Sequence, residues 1–121
     1  MIQPKFSLEL DRSTIKAASG SAEGLIFIGP KVIKGTFDKV FQARFGETPD
    51  IPARQAYDAI HLLAKAIENQ GTDTNKVLQW LDSFEQYDGA SGHYSRKDGI
   101  LEVPTQFYVV RGSDYEELVS H

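Results

Sequence analysis

The stretch from Pro52 to Gln70 restricts this chain's fold more than any other. Asp50 suits the N-cap, Pro52 falls in the first turn, where a missing N–H is harmless, and Gly71 stops the run. Ala53, Ala56, Tyr57, Ile60, Leu63, Ala64 and Ile67 recur at helical spacing, and Ala59 and Leu62 widen the face. A stripe this broad predicts a long helix packed against both a sheet and a neighbouring helix.

The flanking segments supply candidates for that sheet and helix. Phe6, Leu8 and Leu10 alternate with polar residues, which predicts a half-buried strand with Pro4 at its beginning. Ser13 to Ser21 reads as a loop or weak helical turn, and Leu25 to Ile28 as a strand buried on both faces. Phe37, Val40, Phe41 and Phe45 predict a helix capped by Thr36 and stopped by Gly46, its aromatic stripe turned to the core. A third helix runs from about Asp73 to Phe84, with Val77, Leu78, Leu81 and Phe84 inward and Trp80 in the core. After Tyr87-Asp88-Gly89 the pattern becomes strand-like. His93 to Ser95 and Ile100 to Val103 then form a hairpin through Asp98-Gly99, and Gln106 to Arg111 a last strand before an acidic tail over 113–121. The order is that of an α/β chain.

Several chemistries lack the residues they need. With no cysteine there is no disulfide, thiolate site or cysteine nucleophile. A net charge of −4 and scattered Lys and Arg argue against nucleic acid as a partner. The three histidines lack metal-ligand spacing, and His61 reads as a partly buried packing residue, so no metal or cofactor is expected. Asp38, Asp58, Asp73 and Asp82 on helices, and Arg96-Lys97 at a hairpin tip, read as solvated charge. No Walker loop, dinucleotide fingerprint or nucleophile elbow occurs, so no catalytic residue is assigned. Met1 to Lys5 lacks the basic patch and apolar run of a signal peptide, and no run is long enough to span a bilayer.

Four segments, taken in order over roughly residues 20–112, resemble one family. They are Ala22-Glu23-Gly24-Leu25-Ile26-Phe27, Phe41 to Asp50 with its Phe45-Gly46 and Pro49-Asp50 pairs, Ala56-Tyr57-Asp58-Ala59, and Tyr87-Asp88-Gly89-Ala90-Ser91-Gly92. Together they are similar to the C-terminal portion of type I periplasmic solute-binding proteins of the leucine/isoleucine/valine class. Residues 1–20 match less clearly. The resemblance implies a partial type I binding-protein fold, a single partial domain whose long helix was shaped against β-structure that this chain does not contain. It also implies an extracytoplasmic location, a small amino-acid-like solute, a membrane permease as partner, and no catalysis. In that family the start of the long helix borders the solute cleft, which puts Ile51, Pro52, Ala53 and Arg54 forward as solute-facing residues, since a helix N-terminus favours a carboxylate. The alternative is that Pro52 only starts the helix and Arg54 is solvated.

Two other readings are open at this level. Uncovered apolar faces would suit a ligand-sensing or self-associating domain, such as a homodimer. A small enzyme of unrelated fold has only His61, His93 and nearby acids in its favour.

Overall fold

A computed structural model of the chain describes residues 6–7 and 10–119. Its order of elements is β1 (Phe6–Ser7), α1 (Arg12–Ala17), β2 (Ile26–Pro30), α2 (Thr36–Phe45), α3 (Ile51–Gln70), α4 (Thr74–Ser83), β3 (Gln86–Gly89), β4 (Gly92–Lys97), β5 (Ile100–Glu102), β6 (Thr105–Arg111) and β7 (Asp114–Glu117). The expected α/β sequence of strands, three helices, hairpin and strand is present. Pro4, Leu8 and Glu9 of the first expected strand lie outside the described residues. Two compact units divide the chain, one ending at Lys31 and resuming at Thr105, the other spanning Val32–Pro104.

The first unit is a sheet in the order β1-β2-β6-β7, with β1 and β2 parallel and the other pairs antiparallel. Tyr108, Val109 and Val110 are consecutive and all buried, as a central strand covered on both faces requires. β2 meets that expectation only in part: Phe27 is buried, but Ile26 and Ile28 are half-buried. Phe27 stacks on Tyr108 with ring centroids 5.4 Å apart, and Tyr115 meets both rings edge-on at 5.1 and 5.3 Å. The Tyr108 hydroxyl donates to the Pro30 carbonyl at 2.5 Å, which fixes the far end of β2.

One segment of this unit settles an open reading of the sequence and another differs from the reading. Of the loop or weak helical turn expected over 13–21, the first part is helical: it belongs to α1, started by Asp11, whose carboxylate accepts the Thr14 N–H at 2.7 Å and the Ser13 hydroxyl at 2.8 Å. The helix buries Ile15 alone, too little to leave a periodic signal. The acidic tail contains β7. Arg12 pairs with Asp114 at 2.8 Å and lies 4.5 Å from the centre of the Tyr115 ring, so cation and ring hold a strand whose composition suggests none.

In the second unit α2 begins from Gly35 rather than Thr36. Asp38 accepts the Gly35 N–H at 2.9 Å, leaving Thr36 as the first helical residue. Gly46, at φ 72°, ends the helix as expected. Asp73 is solvated as expected and also caps α4, accepting the Lys76 N–H at 3.0 Å. β3, β4 and β5 form an antiparallel sheet in sequence order, so Tyr87-Asp88-Gly89 is already strand and the chain turns at Ala90 and Ser91. Arg96 is no free hairpin charge. Its guanidinium donates to the carbonyls of Phe84 at 2.9 Å, Leu81 at 2.5 Å and Gly99 at 3.0 Å, satisfying the open end of α4 and tying the hairpin to it. None of the helices among the described residues is long and apolar enough to cross a membrane.

The β4–β5 turn carries two consecutive left-handed residues, Asp98 at φ 50° and Gly99 at φ 78°. A β-branched residue at the second position is strained in that conformation. Gly99→Val is therefore expected to lower stability by about 1–2 kcal/mol, read as a shift in the urea midpoint at unchanged slope.

Candidate functional site at the start of the long helix

α3 buries the side opposite the one its apolar residues mark. Ile51, Arg54, Asp58 and Ala66 are buried, with Leu62 half-buried between them. Tyr57, Ile60, Leu63 and Ile67 keep 40, 68, 46 and 40% of their surface exposed. The helix thus offers solvent the face expected to lie on a sheet, and buries an arginine and an aspartate. The reading of Asp58 as a solvated acid is overturned, because it is 1% exposed.

Charge is buried here because partners surround it. One Asp58 oxygen accepts the Ala90 N–H at 2.6 Å; the other accepts the Ser91 N–H and the Tyr94 hydroxyl, both at 2.9 Å. Arg54, one helical turn earlier, donates through Nη1 to the Ala90 carbonyl at 3.1 Å and through Nη2 to Asp38. Arg54 is 4% exposed, so it is not solvated, and the reading of Asp38 as solvated charge fails as well. The two oppositely charged residues grip the β3–β4 turn from one helix face. Gly89 makes the approach possible: a Cβ there would stand 2.6 Å from the Asp58 carboxyl carbon.

Burial works against an ionised Asp38, but the hydrogen bond and charge of Arg54 and the Gly35 N–H outweigh it, holding this carboxyl below the usual range. Burial, together with the Asp58 carboxylate it donates to, pushes the Tyr94 phenol up to about 12. Burial and the charge of Asp58 also raise Tyr87.

The four residues put forward from sequence occupy the first turn of α3. Ile51 is buried, Pro52 exposed, Ala53 half-buried, and Arg54 is held as described. Because Asp38 neutralises Arg54, the first turn presents chiefly its N–H groups and the helix dipole. Asp58 was missed as a participant because a helical acid is usually solvated. The available signal was Gly89, a glycine within an aromatic-flanked strand.

Apolar grooves flank the exposed face of α3. One, of about 250 Å³, is lined by Phe37, Val40, Phe41, Phe45 and Tyr57. Its rings follow one another, with centroids 4.7 Å apart from Phe45 to Phe41, 5.7 Å to Phe37 and 4.4 Å to Tyr57. The expected core stripe of α2 is therefore half-buried to exposed. His61 extends the row, exposed and 4.0 Å from the Tyr57 ring, which corrects its reading as partly buried. The other groove, of about 330 Å³, lies between α3 and α4 along Leu63, Ile67, Val77, Leu78 and Leu81. Trp80 is half-buried against Phe84 at 5.7 Å.

No protein-family model and no curated protein matches the sequence. Solved structures do match it. The branched-chain amino-acid transporter substrate-binding protein of Streptococcus pneumoniae, in complex with isoleucine, superposes with a TM-score of 0.79 at 18% identity, over 95% of this chain and 36% of its own. A leucine-binding protein from Thermotoga maritima gives 0.77 at 23% identity, over 89% and 33%. A solute-binding protein of an ABC transporter from R. palustris, in complex with benzoate, gives 0.76 at 17% identity, over 95% and 35%. The chain has the mixed α/β fold of a portion of the type I periplasmic solute-binding proteins, and spans about a third of the length of these neighbours.

Adding a methyl group against the Asp58 carboxylate forces the turn away from α3. Gly89→Ala is expected to destabilise the protein by about 1–3 kcal/mol in chemical denaturation. Tyr94 gives an alkaline signature. Its folded pKa lies above the ordinary phenol value of 10.0, so its contribution is complete below pH 10.0 and is lost as pH rises through about 12. The stability of Tyr94→Phe, followed by denaturation at stepped pH, should show a shallower alkaline decline than the unaltered chain.

Proposed function

We propose that this chain is part of an extracytoplasmic solute-binding protein that captures a small amino acid or related carboxylate for an ABC transporter, without catalysis. The observation that carries the reading is the match of nearly the whole chain to a third of each transporter-associated binding protein. Isoleucine and benzoate, the solutes named for two of these neighbours, share a carboxylate. Residues 21–112 are the segment assigned to the binding-protein fold, and a membrane permease is its partner.

Under this reading the first turn of α3, from Ile51 to Arg54, borders the solute cleft. Ile51 and Ala53 direct first-turn N–H groups toward an anion, Pro52 shapes the rim, and the Asp38–Arg54 pair holds the turn still. The opposing wall belongs to a longer polypeptide, which also covers the exposed face of α3. A second reading, self-association, is favoured by that same face: Tyr57, Ile60, Leu63 and Ile67 form an apolar strip such as often marks an interface.

Isothermal titration with leucine, isoleucine and benzoate tests both readings. The chain alone is expected to bind none of them tightly, and a longer chain carrying both lobes is expected to bind at least one. Failure of the two-lobed protein to bind any carboxylate would remove the solute-binding reading. Light scattering on the same samples tests the second: a clean monomer at high concentration would remove self-association.

A further inference from the structure

The peptide between Ala90 and Ser91 is held at both ends by opposite charges from one helix. Its carbonyl oxygen accepts from the Arg54 guanidinium at 3.1 Å, and its N–H donates to the Asp58 carboxylate at 2.9 Å. Arg54 and Asp58 themselves form no ion pair; the salt bridge of Arg54 goes to Asp38 on α2. The hydrogen bonds that link the two charges therefore run through this one peptide.

We propose that Arg54 and Asp58 act as a single latch through the Ala90–Ser91 peptide, so that the β3–β4 turn docks on α3, or leaves it, in one step. A cation on the oxygen draws electron density from the nitrogen and strengthens the N–H as a donor, while the carboxylate at the N–H strengthens the oxygen as an acceptor. Both side chains are at least 95% buried, with Arg54 4% and Asp58 1% exposed, so neither finds water while the other stays bonded. Breaking one contact leaves a buried charge underserved and weakens the second. Half-open states of the turn are thereby disfavoured. Gly89 admits the carboxylate at a distance no other residue allows, and Asp38 extends the latch to the start of α2. The inference concerns the turn alone and stands whether or not the chain binds a solute.

Amide hydrogen exchange by NMR on the full chain tests it. After correction for intrinsic rates, the Ala90 and Ser91 amides of the unaltered protein should exchange within about threefold of each other, as members of one opening unit. Arg54→Gln should speed Ser91 exchange by about tenfold or more, although Arg54 does not touch that N–H, while amides in the middle of α3 keep their rates. The double variant with Asp58→Asn should exchange at Ser91 no more than about threefold faster than Asp58→Asn alone. Three results would overturn the latch: an unchanged Ser91 rate in Arg54→Gln, single-variant factors that multiply in the double variant, or Ala90 and Ser91 rates in the unaltered protein more than about tenfold apart. The last needs no substitution, so it decides the matter even if the Asp58 variant fails to fold.

Discussion

Asp58 sets the terms for the second unit. An ionised carboxylate withdrawn from water is several kcal/mol uphill unless donors replace the lost hydration. Two backbone N–H groups and the Tyr94 hydroxyl do so here, and all three come from residues 90–94. The helix and the turn therefore need each other. Among the described residues these three donors are the hydrogen-bond partners the carboxylate has, and it is the acceptor of both turn amides. Gly89, Tyr94 and Arg54 follow from that requirement: the first gives room, the second completes the shell, and the third holds the carbonyl on the opposite side of the same peptide.

With that side of α3 committed to polar contacts, its apolar residues face outward. The grooves along α2 and α4 belong to the same surface, which is continuous through Tyr57, Leu63 and Ile67. A strip of this kind is uncommon on a free-standing domain. It agrees with a chain that superposes on only a third of each neighbouring solute-binding protein. In the proposed function this face meets the remainder of a longer polypeptide, and the first turn of α3 borders the cleft that the remainder completes.

The first unit is organised differently. Its core is the aromatic cluster of Phe27, Tyr108 and Tyr115, on three neighbouring strands, and its charged residues stay near the surface. Arg111 with Glu116 bridges exposed groups and contributes little alone, whereas the half-buried Arg12 holds the edge strand through both Asp114 and the Tyr115 ring.

Local chemistry was legible from the sequence. The lengths of α2, α3 and α4, the stops at Gly46 and Gly71, and the Asp98-Gly99 hairpin depend on periodicity and on backbone conformations that few residues tolerate. The ordered motifs were enough to indicate the binding-protein fold. Which face of α3 turned inward could not be read, because the amphipathic rule assumes that the apolar side finds its cover within the chain. Asp58 was invisible for a related reason: a helical aspartate looks solvated until a second segment, more than thirty residues along, supplies its donors. Local propensity belongs to neighbours in sequence, whereas the burial of a charge depends on groups that only the folded chain brings together. That is why most of the elements came from the sequence, and β7, the inward faces, the latch on the turn and the true place of Arg54 came from the tertiary structure.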